Sequence, residues 1–212
     1  MPDFSLESRL RGVIAGIDEA GRGPWAGPVV AAAAVLDRET LPPRLLAELD
    51  DSKRLSAARR EELFLVLEQC PTIGIGVGIA EVADIDRLNI LEATMAAMAR
   101  AVEALGRPID HALVDGNRAP RLPCPVTTVV RGDGRSLSIA AASIVAKVTR
   151  DRVMTELASA YPGYGFETNM GYGTAQHQAA LDRLGVTPHH RRSFAPIASR
   201  LREPQLPLSA HH

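Results

Sequence analysis

The chain has 212 residues, 46% of them hydrophobic, 23% charged and only 4% aromatic, with a formal net charge of −1. That balance excludes disorder, collagen and coiled coil as the main architecture, and it suits one globular domain with its own core. The longest apolar run, Val29–Leu36, is far short of the roughly 20 residues a bilayer span needs, and the N-terminus MPDFSLESRLRG has no signal-type apolar stretch. Cys70 and Cys124 belong to no CxxC pair, as in a reducing compartment, so the expectation is a cytoplasmic protein with no membrane partner.

In chain order, Val13–Asp18 reads as a short buried strand and Gly21–Pro28 (GRGPWAGP) as a turn. Val29–Leu36 is a second strand, and Leu41–Leu49 a short helix. Ser56 is placed as the N-cap of a helix over Ala57–Glu68. Thr72–Ala80 alternates glycine with β-branched residues, the pattern of a strand crossed closely by another backbone. Asn89–Leu105 is an amphipathic helix ended by Gly106, and His111–Asp115 and Val126–Val130 are strands. Ser136–Ala160 is a long helix and Thr174–Leu184 a shorter one. Early strands with short connections are expected antiparallel, and strands separated by a helix parallel. The fold class is therefore α/β, a mixed sheet flanked by helices. Residues 1–12 are an N-terminal segment, 13–200 a single domain that includes the C-terminal helices, and 201–212 a flexible tail.

Charge is segregated along the chain. Residues 1–117 hold 12 basic and 19 acidic side chains, and residues 118–202 hold 12 and 5. Either a basic surface lies beside an acidic cluster, or two solvated faces differ by chance. Of the basic residues 22 are Arg, so the two lysines, Lys53 and Lys147, stand out.

Acids recur at strand ends. Asp18 closes the first strand, with Glu19 next to it. Asp115 closes HALVD, and Asp133 lies in the turn RGDGR after the following strand. A strand-end Asp alone commonly caps a turn. If these strands are neighbours, however, four carboxylates meet at one sheet edge, a charge that protons or metal must neutralise. Hard oxygen donors without His or Cys favour Mg²⁺ or Mn²⁺, and two such ions suit in-line attack on a phosphodiester. Gly21-Arg22-Gly23 follows at once. Its glycines admit close backbone approach to a ligand, and Arg22 can reach a phosphate. There is no P-loop and no HExxH. Gly74, Gly76 and Gly78 read as packing glycines, and Ser143 and the histidines form no readable triad.

The segments GIDEAGRGPWAGPVVAAA (16–33), DSKRLS (51–56), LVDGN (113–117), AAASIVAKVTRDR (140–152), GYGT (171–174) and HRRSF (190–194) occur in this order and closely resemble bacterial ribonuclease HII. The resemblance runs from about Val13 to Pro196. It implies a ribonuclease H-like fold and endonucleolytic cutting of the RNA strand of RNA–DNA hybrids. It also implies nicking of duplex DNA 5′ of single ribonucleotides, leaving 5′-phosphate and 3′-hydroxyl ends. The catalytic, metal-holding acids carry over as Asp18, Glu19, Asp115 and Asp133, with Asp151 expected to be an ordinary helix acid. The family's GRG backbone reads the ribose 2′-hydroxyl, which maps to Gly21, Arg22 and Gly23. Its GYGT tyrosine, here Tyr172, stacks on the next deoxyribose. Lys53, Ser143, Lys147 and Arg150 fall inside matched motifs. The two lysines either contact phosphate or pair with the carboxylates. One departure is Met170, where the family often carries a basic residue; weaker substrate contact is expected there, with Arg191 or Arg192 compensating. Nothing in the sequence demands more than a monomer.

Overall fold

The computed structural model describes residues 1–202, so Glu203 to His212 of the expected tail lie outside the described residues. Five strands form one sheet: β1 (Ile14–Ala20), β2 (Val29–Val35), β3 (Gly74–Ala80), β4 (His111–Asp115) and β5 (Val126–Val129). Their spatial order is β3-β2-β1-β4-β5. The helices are α1 (Pro43–Glu48), α2 (Ala57–Gln69), α3 (Val82–Leu88), α4 (Ile90–Ala104), α5 (Leu137–Ala160), α6 (Phe166–Asn169), α7 (Ala175–Leu184) and α8 (Ala195–Arg202). Leu201 and Arg202 thus close α8 rather than open the tail. None of these helices is long and apolar enough to cross a membrane.

Side chains alternate across the strands. Ala15 and Ile17 of β1, with Val29, Ala31 and Ala33 of β2, pack on α4 through Ala93, Ala97, Met98 and Ala101. Ala32 and Ala34 pack instead with α2 and the Ala140–Ala146 stretch of α5. β2 is buried along its whole length because helices cover both its faces, which explains its unbroken apolar run. On β3, a Cβ on Gly78 would stand 2.1 Å from the Ala97 carbonyl oxygen, and one on Gly76 equally close to that of Ala101. The backbone that crosses this strand is α4.

Two expected strand directions are corrected. β3 follows two helices yet pairs antiparallel with β2, Val35 facing Gly74. One helix carries the chain to the far end of a sheet, whereas α1 and α2 together take it out and back to the edge where β2 ended. Conversely, β4 and β5 are parallel although no helix joins them. The ten residues between them, with Pro120, Pro123 and Pro125, make the crossover without a helix, and Leu122 and Cys124 pack against the α4 layer. The N-terminal segment is docked. Phe4 joins the core, and Glu7 Oε1 accepts hydrogen bonds from the Ser136 and Ser138 hydroxyls and the Ser138 N–H at the start of α5. A carboxylate there also complements the positive end of the helix.

Candidate active site

β1 and β4 are parallel neighbours with Ile17 opposite Val114, so the next residues, Asp18 and Asp115, emerge side by side at the same edge. Asp115 Oδ1 accepts the Gly132 N–H at 2.6 Å, which draws the turn after β5 onto this edge. That turn is a 3₁₀ segment, Gly132–Gly134, entered through Arg131 in the left-handed region (φ 55°), and it carries Asp133. Glu19 is the residue after Asp18 and bonds Arg22 Nη1 at 3.2 Å. Parallel strands end together, so acids distant in sequence share one edge.

The electrostatics follow from crowding. Asp18 is 5% exposed. Burial, then the charges of Glu19, Asp115 and Asp133, hold its carboxyl well above the usual range. Burial raises Glu19 as well, partly offset by Arg22. Asp133 is raised by burial and by Asp115, against the pull of Lys53. Lys53 Nζ lies 3.3 Å from Asp133 Oδ2. Burial works against the Lys53 charge, but Asp133, Asp18 and Asp51 outweigh it and keep the ammonium above its ordinary range.

This donor set fits a hard divalent cation: four carboxylates, no imidazole and no thiolate, crowded at one buried edge. Among the described residues no three His, Cys, Asp or Glu side chains already close round a common point. Glu19 leans on Arg22 and Asp133 on Lys53, two cations that balance part of the charge a divalent ion would take.

Beside the acids, the Gly21–Pro28 turn is held by two buried arginines. Arg191, 0% exposed, donates to the carbonyls of Gly21, Arg22, Gly27 and Pro28. Arg150 donates to those of Pro28, Ala26 and Met170. Burial and neighbouring Arg150 pull Arg191 down to about 9, so it stays cationic at neutral pH. Gly21 has no room for a side chain: a Cβ would fall 2.0 Å from Arg150 Nε. Above the loop, Tyr172 is half-exposed, its Cε1 3.4 Å from where a Gly23 Cβ would stand.

Behind Tyr172 lies a buried histidine pair. His190 Nδ1 accepts from the Thr187 N–H at 3.0 Å, which places the His190 proton on Nε2. Nε2 faces His177 Nε2 at 3.0 Å, and His177 Nδ1 donates to the Tyr172 carbonyl at 2.9 Å. Both rings are therefore neutral. Burial, reinforced by His177, pushes His190 down to about 4, and burial lowers His177 too.

Arg191 cannot stand in for a missing phosphate contact at Met170, because it is fully buried. Arg192 is exposed. Ser143 is 3% exposed and donates to the Ala140 carbonyl of its own helix, so it stands apart from any surface contact. Lys147 pairs with Asp151 at 2.6 Å, one turn further along α5. Arg150, His190 and Arg191 lie inside the matched segments 140–152 and 190–194, but nothing in those segments, or around His177, marks their inward-facing role. The one available hint is a glycine- and proline-rich loop whose buried carbonyls need donors.

The sequence matches the family model described as Ribonuclease HII over residues 15–197. It is 63% identical over 207 residues to the ribonuclease HII of Rhodospirillum rubrum, covering 98% of this chain and 95% of that one. Among solved structures it resembles the ribonuclease H2 of Pyrococcus horikoshii, with TM-score 0.73 and 28% identity over 89% of this chain and 96% of that one. It shares its fold with Bst-RNase HIII in complex with Mn²⁺, at TM-score 0.75 and 20% identity over 93% and 72%. With the motifs, the sheet and the acid edge in agreement, the chain belongs to the ribonuclease HII family of metal-dependent endoribonucleases.

Proposed function

We propose that this enzyme cuts the RNA strand of RNA–DNA hybrids and also nicks duplex DNA on the 5′ side of a single embedded ribonucleotide, leaving 5′-phosphate and 3′-hydroxyl ends. The observation that carries the reading is the joining of the four-acid edge to the Gly21–Gly23 loop and Tyr172, with Arg22 bonded to Glu19 at one end and Gly23 beneath Tyr172 at the other. The N–H groups of Arg22 and Gly23 donate to no protein acceptor among the described residues, and both residues are exposed. Two neighbouring free N–H groups suit an oxygen acceptor such as a ribose 2′-hydroxyl. Tyr172 offers a flat face to the next sugar, where a second hydroxyl would collide.

Asp18, Glu19, Asp115 and Asp133 are the residues assigned to hold two Mg²⁺ or Mn²⁺ ions. When bound, such ions supply Lewis acidity for activating water and steadying the leaving 3′ oxygen. The chain itself orients the scissile phosphate against the acids, with Lys53, 78% exposed at its side chain, and Lys147 as phosphate contacts. Each lysine must leave its carboxylate partner to do so. The enzyme is expected to act as a monomer in the cytoplasm. Asp18→Asn and Asp115→Asn test the assignment on a labelled hybrid with Mg²⁺ or Mn²⁺. Each should lower cleavage by about 10³-fold or more, the scale of removing a whole catalytic group, while circular dichroism shows an intact fold. Near wild-type cutting by either variant contradicts it.

A further inference from the structure

We propose that the strap Thr187–Arg191 is a positioning element for substrate recognition: from behind, Arg191 aims the two free N–H groups of the Gly21–Gly23 loop, and His190 sets Tyr172 through His177. This rests on the reading of that loop and that tyrosine as the parts that inspect the sugars.

A trans peptide unit points its carbonyl and its N–H in opposite directions. The Gly21 carbonyl shares its unit with the Arg22 N–H, and the Arg22 carbonyl shares its unit with the Gly23 N–H. Arg191 donates to both carbonyls, 2.8 Å to that of Arg22. Drawing those two oxygens inward turns the two N–H groups outward. Arg191 also fixes the loop's far end at Gly27 O (2.9 Å) and Pro28 O (3.3 Å), so one planar group spans the start and the finish of the turn. The Arg191 N–H donates to Trp25 O, the Gly27 N–H donates to His189 O, and Ala26 pairs with His190, which docks the strap along the loop.

A buried cation without a carboxylate partner is an expensive way to hold a turn. Among the described residues Arg191 forms no ion pair, and its guanidinium spends its hydrogen bonds on carbonyls. Lysine has one compact ammonium and cannot reach four acceptors in a plane. The adjacent residue, His190, completes the strap's role. Its bond to His177, and the His177 bond to the Tyr172 carbonyl, form a chain with only one possible direction, because the Thr187 N–H can only donate and the Tyr172 carbonyl can only accept. The two parts that face the substrate are thus held by consecutive residues.

The test compares wild type, Arg191→Lys and His190→Gln, each first shown to be folded by thermal melting and circular dichroism. Binding is measured in chelator, so that metal plays no part, to a duplex DNA with one ribonucleotide and to its all-DNA counterpart. Arg191→Lys should lose about tenfold of the wild-type preference for the ribonucleotide, the worth of one hydrogen bond to a sugar hydroxyl, with its affinity for all-DNA duplex unchanged. A merely stabilising residue would leave that ratio alone. His190→Gln should narrow the difference in cleavage between an RNA–DNA junction and continuous RNA. If Arg191→Lys does not fold, His190→Gln decides. Unchanged ratios in the folded variants overturn the proposal. A wild type that shows no preference removes the reading of the loop itself, and the proposal with it.

Discussion

The histidine pair makes a prediction about pH. His190 is fully buried and neutral, its proton affinity pushed down to about 4 from an ordinary 6.5. A group depressed in this way leaves stability intact above pH 6.5, where it is neutral in both states. Below that the unfolded chain takes up a proton that the folded chain refuses, and stability falls as pH drops toward 4. From these two values the loss is about 2 kcal/mol at pH 5 and approaches about 3 kcal/mol near pH 4. His177, lowered by burial as well, acts in the same direction. The raised carboxyls of Asp18, Glu19 and Asp133 act in the opposite one, gaining protons on folding as pH falls. His190→Gln isolates the effect, because those acids are common to both proteins. Urea unfolding at pH 7.5 and pH 5 should show wild type losing about 2 kcal/mol more than the variant between the two conditions. Equal losses in the two proteins would mean that His190 is not held neutral, and the hydrogen-bond chain to Tyr172 would fall with it.

Three further outcomes are expected. Lys53→Gln should weaken hybrid binding and reduce the slope of log affinity against log salt by about 1, as for one lost phosphate contact; an unchanged slope would leave Lys53 only a partner of Asp133. Met170→Lys should tighten hybrid binding most at low salt, and a variant that binds no tighter at any salt removes the idea that a phosphate contact is missing there. Glu7→Ala removes three accepted hydrogen bonds at the start of α5. It should cost about 1–3 kcal/mol in urea unfolding, and an unaltered midpoint would show that the N-terminal segment adds no stability.

Much of this was legible in the sequence for identifiable reasons. β1, β2 and β4 are short apolar runs bounded by glycine, proline or an acid. The Ser56 cap fixed the start of α2, where its side chain accepts the Arg59 N–H. Bare glycines on β3 foretold the close approach of α4. α3 has no clear periodic signal, because VADIDRL is one short helix with charges on two turns, abutting α4 at Asn89, a left-handed residue (φ 74°) that caps the second helix. The direction of β3 and the helix-free crossover to β5 depend on where the chain is carried through space, which periodicity does not encode. The acid edge was readable because chemistry left acids at strand ends. Its supports were not: an arginine that bonds carbonyls from the interior looks, in a sequence, like any basic residue. From sequence alone Arg191 is a candidate for phosphate, whereas in the fold it is fully buried.

The central claim is a metal-dependent cut directed by one ribose. It is tested most directly on a labelled duplex DNA carrying a single ribonucleotide, beside an all-DNA control, each incubated with the enzyme plus Mg²⁺, plus Mn²⁺, or with chelator. The account predicts one nick on the 5′ side of the ribonucleotide with either ion, none in chelator, and an intact control. Cutting of the control, or cutting of continuous hybrids alone, would contradict the account of the Gly21–Gly23 loop and Tyr172.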